Sequence, residues 1–160
     1  MTTSMSFELA YHAPLDKVLA MLFEPAFREA VCDAQHALSR SVVVEGSAES
    51  GRVAIDYVQD AAKAPGFVKK LIGDTMSVQQ REVWSGNAAT VELTLPGKPG
   101  EMRGKLRLTE AGGVTTQTVA YDISVHVPLV GGKIERLIED IIVKGLEREN
   151  RVGREWLLSR

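Results

Sequence analysis

The sequence predicts an α+β fold in which a curved antiparallel sheet of seven strands wraps around a long C-terminal helix. Three observations carry this. A period of two runs through most of residues 38–127, an amphipathic stretch without proline covers about residues 133–158, and two short helical segments follow the opening strand. No linker, low-complexity tract or repeat divides the chain, so one domain over 1–160 is expected.

The elements follow in order. Phe7, Leu9 and Tyr11 alternate with Glu8, Ala10 and His12, as in a strand. Pro14 opens a helix whose first turn carries Asp16 and whose apolar stripe is Val18, Leu19, Met21, Leu22 and Phe23. Pro25 breaks it and starts a second helix, from Ala26 to about Asp33. Leu38, Arg40, Val42 and Val44 share one strand parity, and Val53, Ile55 and Tyr57 another. Met76, Val78 and Trp84 share the next, followed by Val91, Leu93 and Leu95, then Met102, Leu106 and Leu108. Pro96-Gly97-Lys98-Pro99-Gly100 and Ala111-Gly112-Gly113 are turns. Val119 to Val127 forms the last strand, apolar on one face only, as a sheet with one covered side requires. What covers it is the final helix, roughly 26 residues and about 39 Å long. Ile134, Leu137, Ile138, Ile141, Gly145 and Val152 fall on its apolar face, with Trp156 at the edge.

Composition narrows the function classes. Hydrophobic residues at 44% and charged residues at 25% describe a chain able to build a core without metal or disulfide. A net charge of −2 gives no global attraction for nucleic acid, and no nucleic-acid motif is present. The single cysteine, Cys32, lies among apolar neighbours and reads as a buried inert thiol. No Cys/His cluster has metal-ligand spacing, and no cofactor motif is found. The N-terminus lacks a signal-peptide pattern and no apolar run is long enough to span a membrane, so a cytoplasmic location is expected.

The chain resembles the START-like superfamily, also called SRPBCC, in what reads as an uncharacterised bacterial branch. The resemblance rests on Ala13-Pro14-Leu15-Asp16-Lys17-Val18, on Phe23-Glu24-Pro25-Ala26-Phe27-Arg28, on the lead-in Val127-Pro128-Leu129-Val130-Gly131-Gly132-Lys133-Ile134-Glu135, and on the order of elements. It implies the helix-grip fold over essentially the whole length. The superfamily includes polyketide cyclases, hydratases, lipid-transfer domains, pollen-allergen proteins and cochaperone-like modules, so it implies no one activity.

A curved sheet over one helix leaves a hollow unless large side chains fill it, and aromatic residues are only 6% of this chain. The expected cavity lining is Tyr57, Gln80, Trp84, Tyr121, Ile138, Ile141 and Gly145. Gly145 stands where an apolar residue is expected and costs about 1 kcal/mol relative to alanine. It makes room either for a ligand or for a close-packed neighbour. Glu82 shares the inward parity of Trp84, and Glu149 lies toward the apolar side of the last helix. An enclosed carboxylate is a candidate general acid or base, whereas one at a strand end or cavity mouth is simply solvated.

Between Gly66 and Gly73, Phe67, Val68, Leu71 and Ile72 have helical spacing beside Lys69 and Lys70. They predict a short helix that acts as a lid, with at most transient membrane contact, or that caps the core. His12, His36 and His126 read as solvated, and Gly131-Gly132 as a tight turn rather than a phosphate site.

Three readings of function remain open. The leading one is a carrier or sensor binding a small hydrophobic molecule, a lipid or polyketide-like metabolite, between sheet and helix. The second is a cyclase- or hydratase-type enzyme using Glu82 or Glu149. The third is a protein-interaction module with a filled core and an exposed apolar patch.

Overall fold

The computed structural model of the chain describes residues 2–160. β1 (Thr3–Tyr11) leads to α1 (Leu15–Leu22) and α2 (Pro25–Ala34), then to β2 (Ser39–Glu45) and β3 (Arg52–Asp60). After α3 (Gly66–Ile72) come β4 (Thr75–Ser85), β5 (Ala88–Thr94), β6 (Gly100–Ala111) and β7 (Val114–Val125), and α4 (Gly131–Leu158) ends the chain. The seven strands form one sheet in the order β1-β7-β6-β5-β4-β3-β2, with every neighbouring pair antiparallel. This is the helix-grip architecture.

Boundaries differ from the periodicity in physically readable ways. β1 begins at Thr3 rather than Phe7, because β7 is long enough to pair Thr3 with Ile123 and Met5 with Tyr121. Leu38 lies outside β2 and is 59% exposed, while Arg40 turns its guanidinium to Asp33 and Glu29 of α2 at 3.1 Å each. Only Val42 and Val44 of β2 therefore reach the core.

α4 packs on β1 and β7, and on α1 and α2. Its contact stripe is rotated from the expected one. Ile134 and Leu146 are buried and Ile138, Ile142 and Trp156 are half-buried, but Ile141 is 60% exposed. Ile141 does not line the interior. At 3.6 residues per turn it falls on the flank of a stripe centred between Ile138 and Ile142, and solvent reaches it there.

Two contacts set how closely α4 lies on the sheet. A Cβ on Gly153 would stand 3.0 Å from the Tyr11 hydroxyl, so only glycine lets the helix cross β1 here. At the other end Glu135 is fully buried. Its carboxylate accepts the Thr3 hydroxyl at 2.8 Å and the Val125 backbone N–H at 2.9 Å. The same turn explains Gly131, whose Cβ would meet the Val125 carbonyl oxygen at 2.6 Å; the pair Gly131-Gly132 is a tight lead-in.

The core is uneven. Leu9, Tyr11, Val18, Leu22, Phe27 and Leu108 are wholly shielded under α1, α2 and the end of α4. Edge-to-face pairs Phe23–Trp84 and Phe27–Trp156, with centroids 5.3 and 5.7 Å apart, fill that half. No residue of α3 is buried, although its Phe67, Val68, Leu71 and Ile72 are half-buried. The expected short helix is present, and the Lys133 ammonium sits 4.7 Å above the Phe67 ring.

Replacing Glu135 by Ala strands the Val125 N–H without a partner. The expected loss is about 2 kcal/mol of unfolding free energy in urea titrations, with Glu135→Gln, which keeps one acceptor oxygen, losing less.

Candidate functional site

The break at Pro25 creates the site's first member. α1 ends at Leu22, leaving the last carbonyls of that helix open, and α2 then points Arg28 back beneath them. Arg28 is 3% exposed and donates from Nε to the Leu22 carbonyl oxygen at 2.7 Å. Its two Nη groups donate to both oxygens of Glu82, at 3.0 and 2.8 Å. Strand parity sends Glu82 inward from β4 between Gln80 and Trp84. Gln80 Nε2 donates to one of its oxygens at 2.7 Å and Trp84 Nε1 to the other at 2.9 Å. This is a bidentate buried ion pair whose carboxylate accepts four hydrogen bonds. Burial works against the Arg28 charge, yet the Glu82 and Glu149 carboxylates hold its pKa above the ordinary value.

Beside the pair lies a cavity of ≈ 50 Å³ between α2, β3 and α4. Arg28 and Glu149 bring charge to its wall, and Gln35, Gln59 and Gln80 bring amides. Val31 and Ile55 supply apolar surface, with Tyr57 and Cys32 alongside. A larger hollow of ≈ 320 Å³ lies outside, between α1 and the end of α4. No buried polar group converges on it, and the Arg160 guanidinium stacks 3.8 Å from the Trp156 ring there. The interior cavity is therefore the candidate site.

Glu149 is its distinctive group. Unlike Glu82, it has no ion-pair partner among the described residues. Burial pushes its pKa up and the Glu82 charge adds to this, while Arg28 and the Gln117 amide pull it back. Behind it, Tyr11 Oη and Gln117 Oε1 are buried without hydrogen-bond partners. The two residues are diagonal neighbours on the inward faces of β1 and β7, since Leu9 pairs with Gln117 and Tyr11 with Thr115. Burial also raises Tyr57 to about 12 and Cys32 to about 11, so both stay protonated at neutral pH and Cys32 is no nucleophile.

The sequence-expected residues separate into three groups. Tyr57, Gln80 and Glu149 stand at the cavity. Trp84, Tyr121 and Glu82 are buried in the wall behind it, with Glu82 engaged by Arg28. Ile138 is half-buried, Ile141 faces solvent, and Gly145 is occupied in a different way. A Cβ there would stand 3.0 Å from Gln35 Oε1, so this glycine admits the Gln35 side chain, itself a cavity wall. Arg28 escaped the sequence reading. An arginine inside a short helix has no periodic signature, and only its place directly after the inward Phe27 hinted at burial. The three histidines are exposed, and no group of three or more metal-ligating side chains occurs among the described residues.

A family model covers residues 6–157. The chain belongs to DUF2505, a family of proteins of unknown function. No curated protein matches this DUF2505 sequence. Solved structures match its fold at low identity. TTHA0849 from Thermus thermophilus superposes with a TM-score of 0.67 at 16% identity, covering 98% of each chain. The Zhui aromatase/cyclase from Streptomyces sp. R1128 gives 0.67 at 12% identity, over 97% of this chain and 93% of its own. A START superfamily protein from Mycobacterium smegmatis gives 0.61 at 12% identity, over 96% and 98%. The DUF2505 chain therefore has the START-like fold. No helix is long and apolar enough to cross a membrane.

Two outcomes follow from the charge arrangement. Arg28→Met leaves Glu82 buried and unpaired and is expected to cost about 3–5 kcal/mol. The double variant Arg28→Met/Glu82→Leu loses less than the sum of the single losses, which a double-mutant cycle in urea measures. For Glu149 the folded pKa lies above the unfolded one, so the folded chain binds the proton more tightly. Its stability contribution is present below the unfolded value, about 4.3, and is lost as pH rises through the folded value. Glu149→Gln should therefore gain stability relative to the parent at pH 7 compared with pH 4.

Proposed function

We propose that this protein binds a small molecule with an apolar body and a polar head in the cavity between α2, β3 and α4, acting as a carrier or sensor. The observation that carries this reading is Glu149. A carboxyl group without an ion-pair partner stands at a cavity wall while the neighbouring interior charges, Arg28 and Glu82, pair with each other. Glu149 is half-buried, holding its carboxyl at the interior wall costs stability, and a bound partner offsets that cost. Val31, Ile55 and Tyr57 offer the apolar contact that supplies affinity.

Cavity size bears on the ligand class. At ≈ 50 Å³ the hollow takes a head group and little more, against the roughly 300–1,000 Å³ of pockets that enclose drug-sized molecules. A lipid tail or polyketide-like body needs further space, and the loosely buried α3 end of the sheet is where the fold yields most easily. There α3 serves as the lid, with Phe67, Val68, Leu71 and Ile72 half-buried on its inner side. Membrane contact through Lys69 and Lys70 is transient at most, since Lys69 already pairs with Asp74 at 3.2 Å.

The raised pKa of Glu149 favours a second reading, in which it exchanges a proton with a bound carbonyl compound, as a cyclase-type enzyme would require. Under that reading the parent protein converts the ligand that it carries, and Glu149→Gln binds but does not convert it.

Mass spectrometry of the protein purified from its native host tests the binding reading. A mass increment is expected under nondenaturing conditions and is lost on denaturation. Gln59→Trp, which plugs the half-exposed end of the cavity while sparing the core, should abolish the increment. A protein without any increment, whose Val31, Ile55 and Tyr57 respond to no small-molecule probe, would contradict the reading and favour a filled interaction module.

A further inference from the structure

Resting on that reading, we infer that the head group recognised at Glu149 is a protonated amine rather than a carboxylate or a hydroxyl. The interior charges carry the inference. Arg28 is the cation at the cavity, and three of its N–H groups are already held, one by the Leu22 carbonyl and two by Glu82. Its charge is already matched by Glu82, and an anionic ligand reaching its two remaining N–H groups would also meet the Glu82 and Glu149 carboxyl groups. Glu149, by contrast, offers a carboxylate with no ion-pair partner.

Hydrogen-bond valence points the same way. Gln80 donates its amide N–H to Glu82, which leaves its carbonyl oxygen as an acceptor at the cavity. Gln35 and Gln59 bring further amide carbonyls to the same wall, while Gln117 Oε1 and the Tyr11 hydroxyl are buried behind Glu149, outside the lining. An ammonium brings three donors and one positive charge to the Glu149 carboxyl and the amide carbonyls of the lining. A hydroxyl brings one donor and no positive charge to favour the ionised form of Glu149. Tyr57 adds an aromatic ring at the wall, which suits a cation. The volume also fits: ≈ 50 Å³ admits an ammonium-bearing end without moving the backbone, leaving a short alkyl or aryl portion against Val31 and Ile55.

Burial and the Glu82 charge raise the Glu149 pKa, and a bound cation would lower it again. The groups facing Glu149 in that balance are Arg28 on α2, Glu82 on β4 and Gln117 on β7, with Tyr11, Tyr57 and Tyr121 sensing its charge from β1, β3 and β7.

The test uses three probes of one shape: n-butylamine, n-butanol and butyrate, titrated into the full chain at pH 7. Amide shifts of Val31, Ile55 and Tyr57 in two-dimensional NMR spectra report occupancy of the cavity. The amine is expected to bind about tenfold more tightly than the other two. Glu149→Gln, whose spectrum also verifies its fold, should bring the amine down to the level of the alcohol. Equal binding of amine and alcohol, or tighter binding of butyrate, overturns the amine assignment and leaves the binding cavity standing. Shifts at none of these residues with any probe overturn both.

Discussion

Arg28 and Glu82 hold each other in the interior, and the arrangement around them follows from that pairing. Removing two charges from water is costly, and attraction alone does not repay it unless every remaining valence is met. Here Gln80 and Trp84 donate to the Glu82 oxygens and the Leu22 carbonyl accepts from Arg28 Nε. The pair ties α2 to the middle of the sheet, so the α1–α2 break at Pro25 cannot move independently of β4. It also fixes Gln80 and Trp84 in orientation. Because the two charges neutralise each other, Glu149 is left as the carboxyl at the cavity wall without an ion-pair partner.

The fold has a firm half and a yielding half. At the end where α1, α2 and the last turns of α4 meet, aromatic pairs and fully shielded aliphatic side chains fill the space under the helices, and Gly153 lets α4 come down onto Tyr11. The apolar residues of α3 itself are only half-buried. Local opening draws on regions with little buried apolar contact, so motion that admits a ligand is expected there and not at the ion pair.

Most of the architecture was legible in the sequence because period and punctuation agree. The turns at Pro96–Gly100 and Ala111–Gly113, the proline break at Pro25 and the prolineless C-terminal stretch each lie where the elements change. The inward parity of Gln80, Glu82 and Trp84 was legible too. What was not legible depends on contacts between distant elements. Ile141 fits a helical stripe by spacing, but which flank of the stripe meets the sheet is decided by Glu135 at one end and Gly153 at the other. Gly145 signalled a need for space without naming the occupant, which is Gln35 from α2. Arg28 gave no pattern at all, since its burial is intelligible only once Glu82 is opposite it.

Glu149 is a half-buried carboxyl at the cavity wall that the protein itself leaves without an ion-pair partner, and the binding proposal depends on it. The most direct measurement is its own titration, followed through the side-chain carboxyl ¹³C shift of the ligand-free protein, with Glu149→Gln identifying the signal. The account predicts a midpoint above the ordinary glutamate value of about 4.3. A midpoint at or below that value would show that Glu149 is solvated or already paired, and would remove the basis for placing a ligand's head group beside it.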